Sequence, residues 1–341
     1  MMVWRPISVE TSGMSEETEV GEVELIGQST DSMRESFGMA LTSLAETYPN
    51  LVVLDGDVAG GTGAHHFRKA YPDRFFQLGI AEQNMMGVAG GLASTGLLPV
   101  VTTFAVFCLR AFEQARLSIA YCRRNVKIVA SHPGLDVGPD GGSAQALEDI
   151  AAFRALPGMT MVSPADPLEM ELATRAILDF EGPVYMRTGR SAIRRILDED
   201  ATFEIGRGTI LVDGNDVSII ACGVEVARAL DAAAILVEEG ISARVVNMST
   251  IKPIDAELIV RCVEETGALV TAEDHNVFGG LGSAVAEVAA TRAPCPIEFV
   301  GVRDVFGESG DPEALAHKYG LTGSFISVAA RRVLARKEDR T

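Results

Sequence analysis

Glu82 is followed by a run of 27 residues, 83–109, without a single charge, in a chain whose net charge is −18. A carboxylate buried in such apolar company costs several kcal/mol if nothing pairs with it. The residue should therefore be protonated or bonded to something that wants a carboxylate. Other side chains able to do chemistry stand just behind short apolar runs. Asp55 and Asp57 follow "LVVL", Phe104 and Phe107 follow "PVVTT", His132 and then Asp140 follow "VKIVAS", and Arg187 follows "PVYM". Carboxylates and an imidazole can carry protons, and a guanidinium can hold an anion.

These residues need a scaffold that gathers strand ends. The segment 75–107, "FFQLGIAEQNMMGVAGGLASTGLLPVVTTFAVF", is long enough to cross a bilayer, but its five glycines and Pro99 suit a lipid-facing helix poorly. It divides into a small-residue helix over about 81–94, a Gly-Leu-Leu-Pro corner and a central strand "VVTTF". Glu82 then opens a buried helix at the mouth of a sheet. Strand-like runs "LVVLDGD", "PVVTTF", "VKIVASH", "MTMVSP" and "PVYMR" alternate with helical stretches over 30–48, 110–121, 144–154 and 167–179. Such alternation predicts an α/β fold with a mostly parallel sheet wrapped by helices, and ligands at the carboxyl ends of its strands.

After the charged stretch "RSAIRRILDEDATFEIGRG" the alternation restarts with "VSIIACG", "ARVVNMS", "ALVTAED" and "IEFVGV". The organisation read from this is an acidic tail over 1–27, expected to be disordered, and a first α/β domain over 28–195. A linker over 196–212, a second α/β domain over 213–336 and a short tail over 337–341 follow. A length of 341 residues accommodates two such cores. The acidic balance opposes partners such as nucleic acid or anionic membrane, leaving small molecules and protein. The five cysteines, at 108, 122, 222, 262 and 295, have no zinc-like spacing, which points to reduced thiols and a cytoplasmic setting. The tail "SGMSEETEVGEVE" lacks the apolar core of a secretory signal, and Met14 offers an alternative start.

Taken in order, "DGD", "GIAEQNMMGVAGGLASTGLLPVVTTFAVF", "SHPGLDVGPDGG" and "VTAEDHNVFGGLGSAVAE" resemble the pyrimidine-binding and C-terminal domains of the transketolase family of thiamine diphosphate enzymes. The resemblance implies a partner for Glu82. In the family, the glutamate of this element hydrogen-bonds N1′ of the cofactor's aminopyrimidine and promotes the 4′-imino form, which takes the proton from thiazolium C2. Phe104 and Phe107 match the aromatic residues flanking that ring, and Asp57 matches an aspartate near the cofactor. His132 and Asp140 match a loop that contacts substrate, with His132 also a catalytic candidate. Arg34, in "SMRESFGMAL", and Arg187, in "PVYMRTGR", are matched to positions that hold a substrate phosphate.

Three departures accompany the match: Arg110 stands where an aromatic residue is common, Gly61 where a serine helps hold phosphate, and Ala144 where a histidine is usual. No metal ligand set is read in the chain. The Gly-Asp-Gly then Asn element that would bind Mg²⁺ for the diphosphate is not found, since "LDGD" and "PDGG" lack its order and spacing. The resemblance thus implies one subunit of a split transketolase. It would be active only with a diphosphate-binding partner subunit, in an α2β2 heterotetramer, moving a two-carbon ketol unit between sugar or keto substrates. The β subunit of a 2-oxoacid dehydrogenase and a catalytically silent assembly subunit are the alternative readings.

Overall fold

The computed structural model describes residues 30–338, so the expected tail over 1–27 lies outside the described residues. Two open sheets organise the chain. The first contains β2 (Leu51–Asp55), β3 (Phe75–Gln77), β4 (Leu98–Phe104), β5 (Lys127–Ser131), β6 (Thr160–Val162), β7 (Val184–Thr188) and β12 (Thr250–Lys252), in the order β12-β6-β7-β5-β4-β2-β3. Every pairing in it is parallel except that of β12 with β6. Strands β2, β4, β5 and β7 are buried along their whole length apart from Phe104, as continuous apolar runs covered on both faces must be. The second sheet contains β9 (Thr209–Val212), β10 (Val217–Ala221), β11 (Ala243–Asn247), β13 (Leu269–Asn276) and β14 (Ile297–Val302), in the order β14-β13-β10-β11-β9. A separate antiparallel pair joins β1 (Thr30–Ser32) to β8 (Ala192–Arg194).

Three features correct the sequence reading. The stretch expected as a linker over 196–212 ends in β9, which pairs antiparallel with β11 and so belongs to the second sheet. The four residues "TILV" were too short a run to stand out from the charged segment before them. The final helix, Gly323–Glu338, runs into the stretch expected as a tail, so Lys337 and Glu338 are helical. Finally β12, which follows the second sheet's strand β11 in the chain, forms the edge of the first sheet.

The two sheets meet across a polar seam. Arg187 on β7 is almost wholly buried and donates to Asp149 through Nε (3.0 Å) and Nη2 (3.1 Å), and to the carbonyl of Asp274 on β13 (3.1 Å). Tyr185 also donates to Asp149, at 2.9 Å. Burial pulls the Arg187 pKa down, but the carboxylates of Asp149 and Asp274 outweigh it, and the net direction is upward. The carboxylate of Asp274 in turn accepts from the backbone N–H of Leu135 (2.8 Å) and of Asp136 (3.0 Å), pinning the loop behind β5. Gly134 makes this approach possible: its φ is +69° and a Cβ there would lie 2.2 Å from the Asp274 carboxylate.

Removing one partner of a buried, hydrogen-bonded ion pair strands the other in low dielectric. Asp149→Asn and Arg187→Ala should each destabilise the fold by about 3–5 kcal/mol, read as a lower urea midpoint with an unchanged denaturant slope. A midpoint equal to that of the wild type would show that the seam does not depend on this pair.

Candidate active site

The carboxyl ends of β2, β4, β5 and β7 lie side by side in the first sheet, and Asp57, Phe104, His132 and Arg190 come immediately at or after them. Glu82 enters from a different element. It is the first residue of the helix Glu82–Ala93 and is 3% exposed. Among the described residues its ion-pair partner is Arg110, whose Nε is 3.7 Å from Glu82 Oε2 and whose side chain is 73% exposed. The carboxylate thus faces a contact that is open to solvent and easily exchanged.

Phe104 caps the short helix Ala105–Arg110, and Phe107 and Arg110 follow it at intervals of three, the spacing that keeps side chains on one helix face. The rings of Phe104 and Phe107 stack with centroids 5.4 Å apart and planes within 9°. Phe104 also stacks on His132, at 3.7 Å and 20°. The Gly61 departure accommodates this arrangement, because a Cβ there would fall 2.7 Å from the Phe104 ring. Flat aromatic faces on a short helix whose last residue, Arg110, pairs with a buried carboxylate suit a planar heteroaromatic ring with a basic nitrogen. The residues present therefore fit the aminopyrimidine end of thiamine diphosphate.

A second group gathers around His132, which has φ +58° and receives or gives a hydrogen bond at Nδ1 to Ser131 Oγ (2.9 Å). Burial first, then the cations of Arg34 and Arg190, push the His132 pKa down to about 3. Arg34 donates from Nη1 to the carbonyl of Gly61 (2.9 Å), while its Nε is buried with no hydrogen-bond partner. Burial and the neighbouring Arg190 both pull the Arg34 pKa below the ordinary arginine value. Arg190 Nη2 lies 3.9 Å from Asp140 Oδ1, and its backbone N–H is held by Asp136 Oδ2 at 2.6 Å. Two guanidiniums that repel each other, one with an unpaired buried donor, make a receptor for an anion.

Arg187 does not join this group. Its donors are committed to Asp149 and Asp274 at the seam, and Arg190, three residues on, stands beside Asp140 instead. The signal that distinguishes them was in the sequence: Arg187 lies within β7, while Arg190 lies beyond its carboxyl end at Thr188, where open sheets bind ligands. Asp57 is exposed, adopts φ +68° and accepts from Gln77 Nε2 at 3.3 Å. Asp55 beneath it is wholly buried and accepts from Gln77, Val58 and Thr102, so it shapes the turn.

Residues 30–195 match the transketolase pyrimidine-binding domain, and residues 206–326 match the transketolase C-terminal domain. The chain belongs to the transketolase family. It is 47% identical over 306 residues to a putative transketolase C-terminal section of Methanocaldococcus jannaschii, covering 89% of this chain and 95% of that one. It is 41% identical over 309 residues to the 6-deoxy-6-sulfo-D-fructose transketolase subunit SqwH of a Clostridium species, covering 90% and 96%. A solved structure described as a split gene transketolase, inactive beta4 tetramer, superposes with a TM-score of 0.85 at 50% identity, covering 90% of this chain and 99% of that one. These matches bear out the two-domain, mostly parallel α/β architecture and the likeness to split transketolase subunits, and family membership carries thiamine diphosphate dependence with it. No helix among the described residues is long and apolar enough to cross a membrane.

A histidine held neutral by burial, and then by two neighbouring cations, should show it in solution. Between its ordinary pKa of 6.5 and its folded value of about 3, the unfolded chain takes up a proton that the folded chain refuses. His132 thus favours the fold above pH 6.5, and that contribution is lost as pH falls towards 3. By NMR, the His132 ring carbons should not titrate across the neutral range, and an oxyanion bound between Arg34 and Arg190 should move the pKa upward. A ring that titrates near 6.5 in the anion-free chain would refute the clustering of charge described here.

Proposed function

We propose that this chain is the pyrimidine-binding subunit of a two-component transketolase that transfers a two-carbon ketol unit from a ketose donor to an aldehyde acceptor. The observation that carries the reading is the buried carboxylate of Glu82, whose exposed and displaceable partner Arg110 ends the short helix that begins at the stacked rings of Phe104 and Phe107. Thiamine diphosphate, when bound, supplies a nucleophilic C2. Glu82 would hold and share a proton with its aminopyrimidine, and Phe104, Phe107 and Asp57 would help hold it. A diphosphate-binding partner subunit brings the Mg²⁺ ligands, and the working assembly is an α2β2 heterotetramer in the cytoplasm. The match to relatives along almost their full length, one of them described as a split gene transketolase, inactive beta4 tetramer, supports that dependence.

At the substrate end, Arg34 and Arg190 take the anionic terminus of donor or acceptor, with His132 as a neutral hydrogen-bonding group and Asp140 toward the hydroxyls. Arg190 replaces Arg187 in this role because its side chain is partly exposed beside Asp140. A relative named for a sugar bearing a sulfo group at carbon 6 is consistent with an anionic terminus that need not be a phosphate.

In the complex with its partner, Glu82→Ala should slow hydrogen–deuterium exchange at C2 by about a hundredfold or more, in line with general acid–base contributions. Exchange at the wild-type rate would take Glu82 out of the mechanism. Arg190→Ala should lower kcat/KM for an anionic substrate by about ten- to a hundredfold, the effect of one charge-assisted contact, and leave the matching uncharged substrate nearly unchanged. Equal loss on both would make Arg190 structural.

A further inference from the structure

We infer that Glu35, His65 and His66 form a binding site for a divalent transition-metal ion such as Zn²⁺, separate from the Mg²⁺ that accompanies the diphosphate. Glu35 lies on the first turn of the helix Met33–Leu44, and the two histidines open the helix His65–Ala70. One ligand atom from each of the three residues lies within 4.8 Å of the others, and all three residues are partly exposed. Both imidazoles send Nε2 to the same oxygen: His66 Nε2 is 2.6 Å from Glu35 Oε2, and His65 Nε2 is 3.9 Å from it.

A single hydrogen bond explains His66 but leaves His65 beyond hydrogen-bonding range. His65 Nδ1 is buried without a hydrogen-bond partner, and Nε2 is the ring atom that faces Glu35. The rings are held together with centroids 4.1 Å apart. Metal–ligand bonds of about 2.0–2.2 Å in tetrahedral geometry put neighbouring ligand atoms about 3.3–3.6 Å apart, and the two present separations, 2.6 and 3.9 Å, bracket that spacing. Two imidazoles and one carboxylate, with a position left for water, form the donor set of zinc-like ions, whereas Mg²⁺ prefers an all-oxygen shell. The ion would tie the helix carrying Arg34 to the segment that follows Gly61, two residues already joined by the Arg34–Gly61 hydrogen bond.

Calorimetric titration of the full chain with Zn²⁺, and of Co²⁺ by its visible absorption bands, tests the assignment. One ion should bind per chain, Mg²⁺ titrated in the same way should give no comparable binding, and Glu35→Gln and His65→Ala should each weaken Zn²⁺ by at least about tenfold. Glu35→Gln is close to isosteric, so its thermal midpoint without metal reports an intact fold, and added Zn²⁺ should raise the midpoint of the wild type more than that of the variant. Failure of the wild type to bind, or binding of equal strength in both variants, which would place the ion elsewhere, for instance on the exposed thiol of Cys122, would overturn the inference.

Discussion

The buried pair between Arg187 and Asp149 is the constraint on which the candidate site rests. A guanidinium and a carboxylate removed from water are tolerable only if their geometry is good and their remaining hydrogen-bonding capacity is used. Here Asp149 accepts from Arg187 and Tyr185, and Arg187 reaches across to the carbonyl of Asp274. Asp274 then turns its carboxylate to the backbone of Leu135 and Asp136, and Asp136 turns its own to the N–H groups of Arg190 and Ser191. The chain of contacts begins in the interior and ends at the group holding His132, Asp140 and Arg190. A loop that would otherwise be free to wander is thereby set at one height above the sheet.

Much of this architecture was legible. The central strands β2, β4, β5 and β7 are long apolar runs whose periodicity leaves little choice, and the helix opening at Glu82 follows from a charge standing at the edge of an uncharged segment. Less was legible where the decision turned on one or two residues. "PVYMRTGR" offers two arginines three apart, and only the end of β7 at Thr188 separates the interior one from the one at the rim. Arg110 was readable as a missing aromatic residue, but its ion pair with Glu82 joins two helices that only the fold brings together. Short strands such as β9 and β12 carry too few residues to show a period, and partners far away in sequence define them.

Charge is distributed against the average. The chain as a whole is strongly acidic, yet Arg34 and Arg190 are close enough to oppose each other and to add to the burial that keeps His132 uncharged. A local cationic receptor within an acidic surface focuses small anions into one place while repelling extended polyanions. Gly61 belongs to the same balance: lacking a side chain, it leaves its carbonyl to orient Arg34 and its space to Phe104.

The edge strand β12 has a consequence for how the chain comes to its folded state. Residues 250–252 close the first sheet by pairing with β6, and Ser163 is joined to Ser249 by a backbone hydrogen bond of 2.7 Å. On the ribosome, the N-terminal sheet therefore cannot be completed when its own segment, ending with β7 at Thr188, has emerged; it waits for the 64 further residues up to Lys252, during which the side of β6 is an open template for pairing. Such long-range closure raises the contact order of the first sheet and makes its completion slow relative to its core. Cutting the gene between the two sheets would leave a fragment with an unsealed border, so the natural unit of expression and of unfolding is the pair.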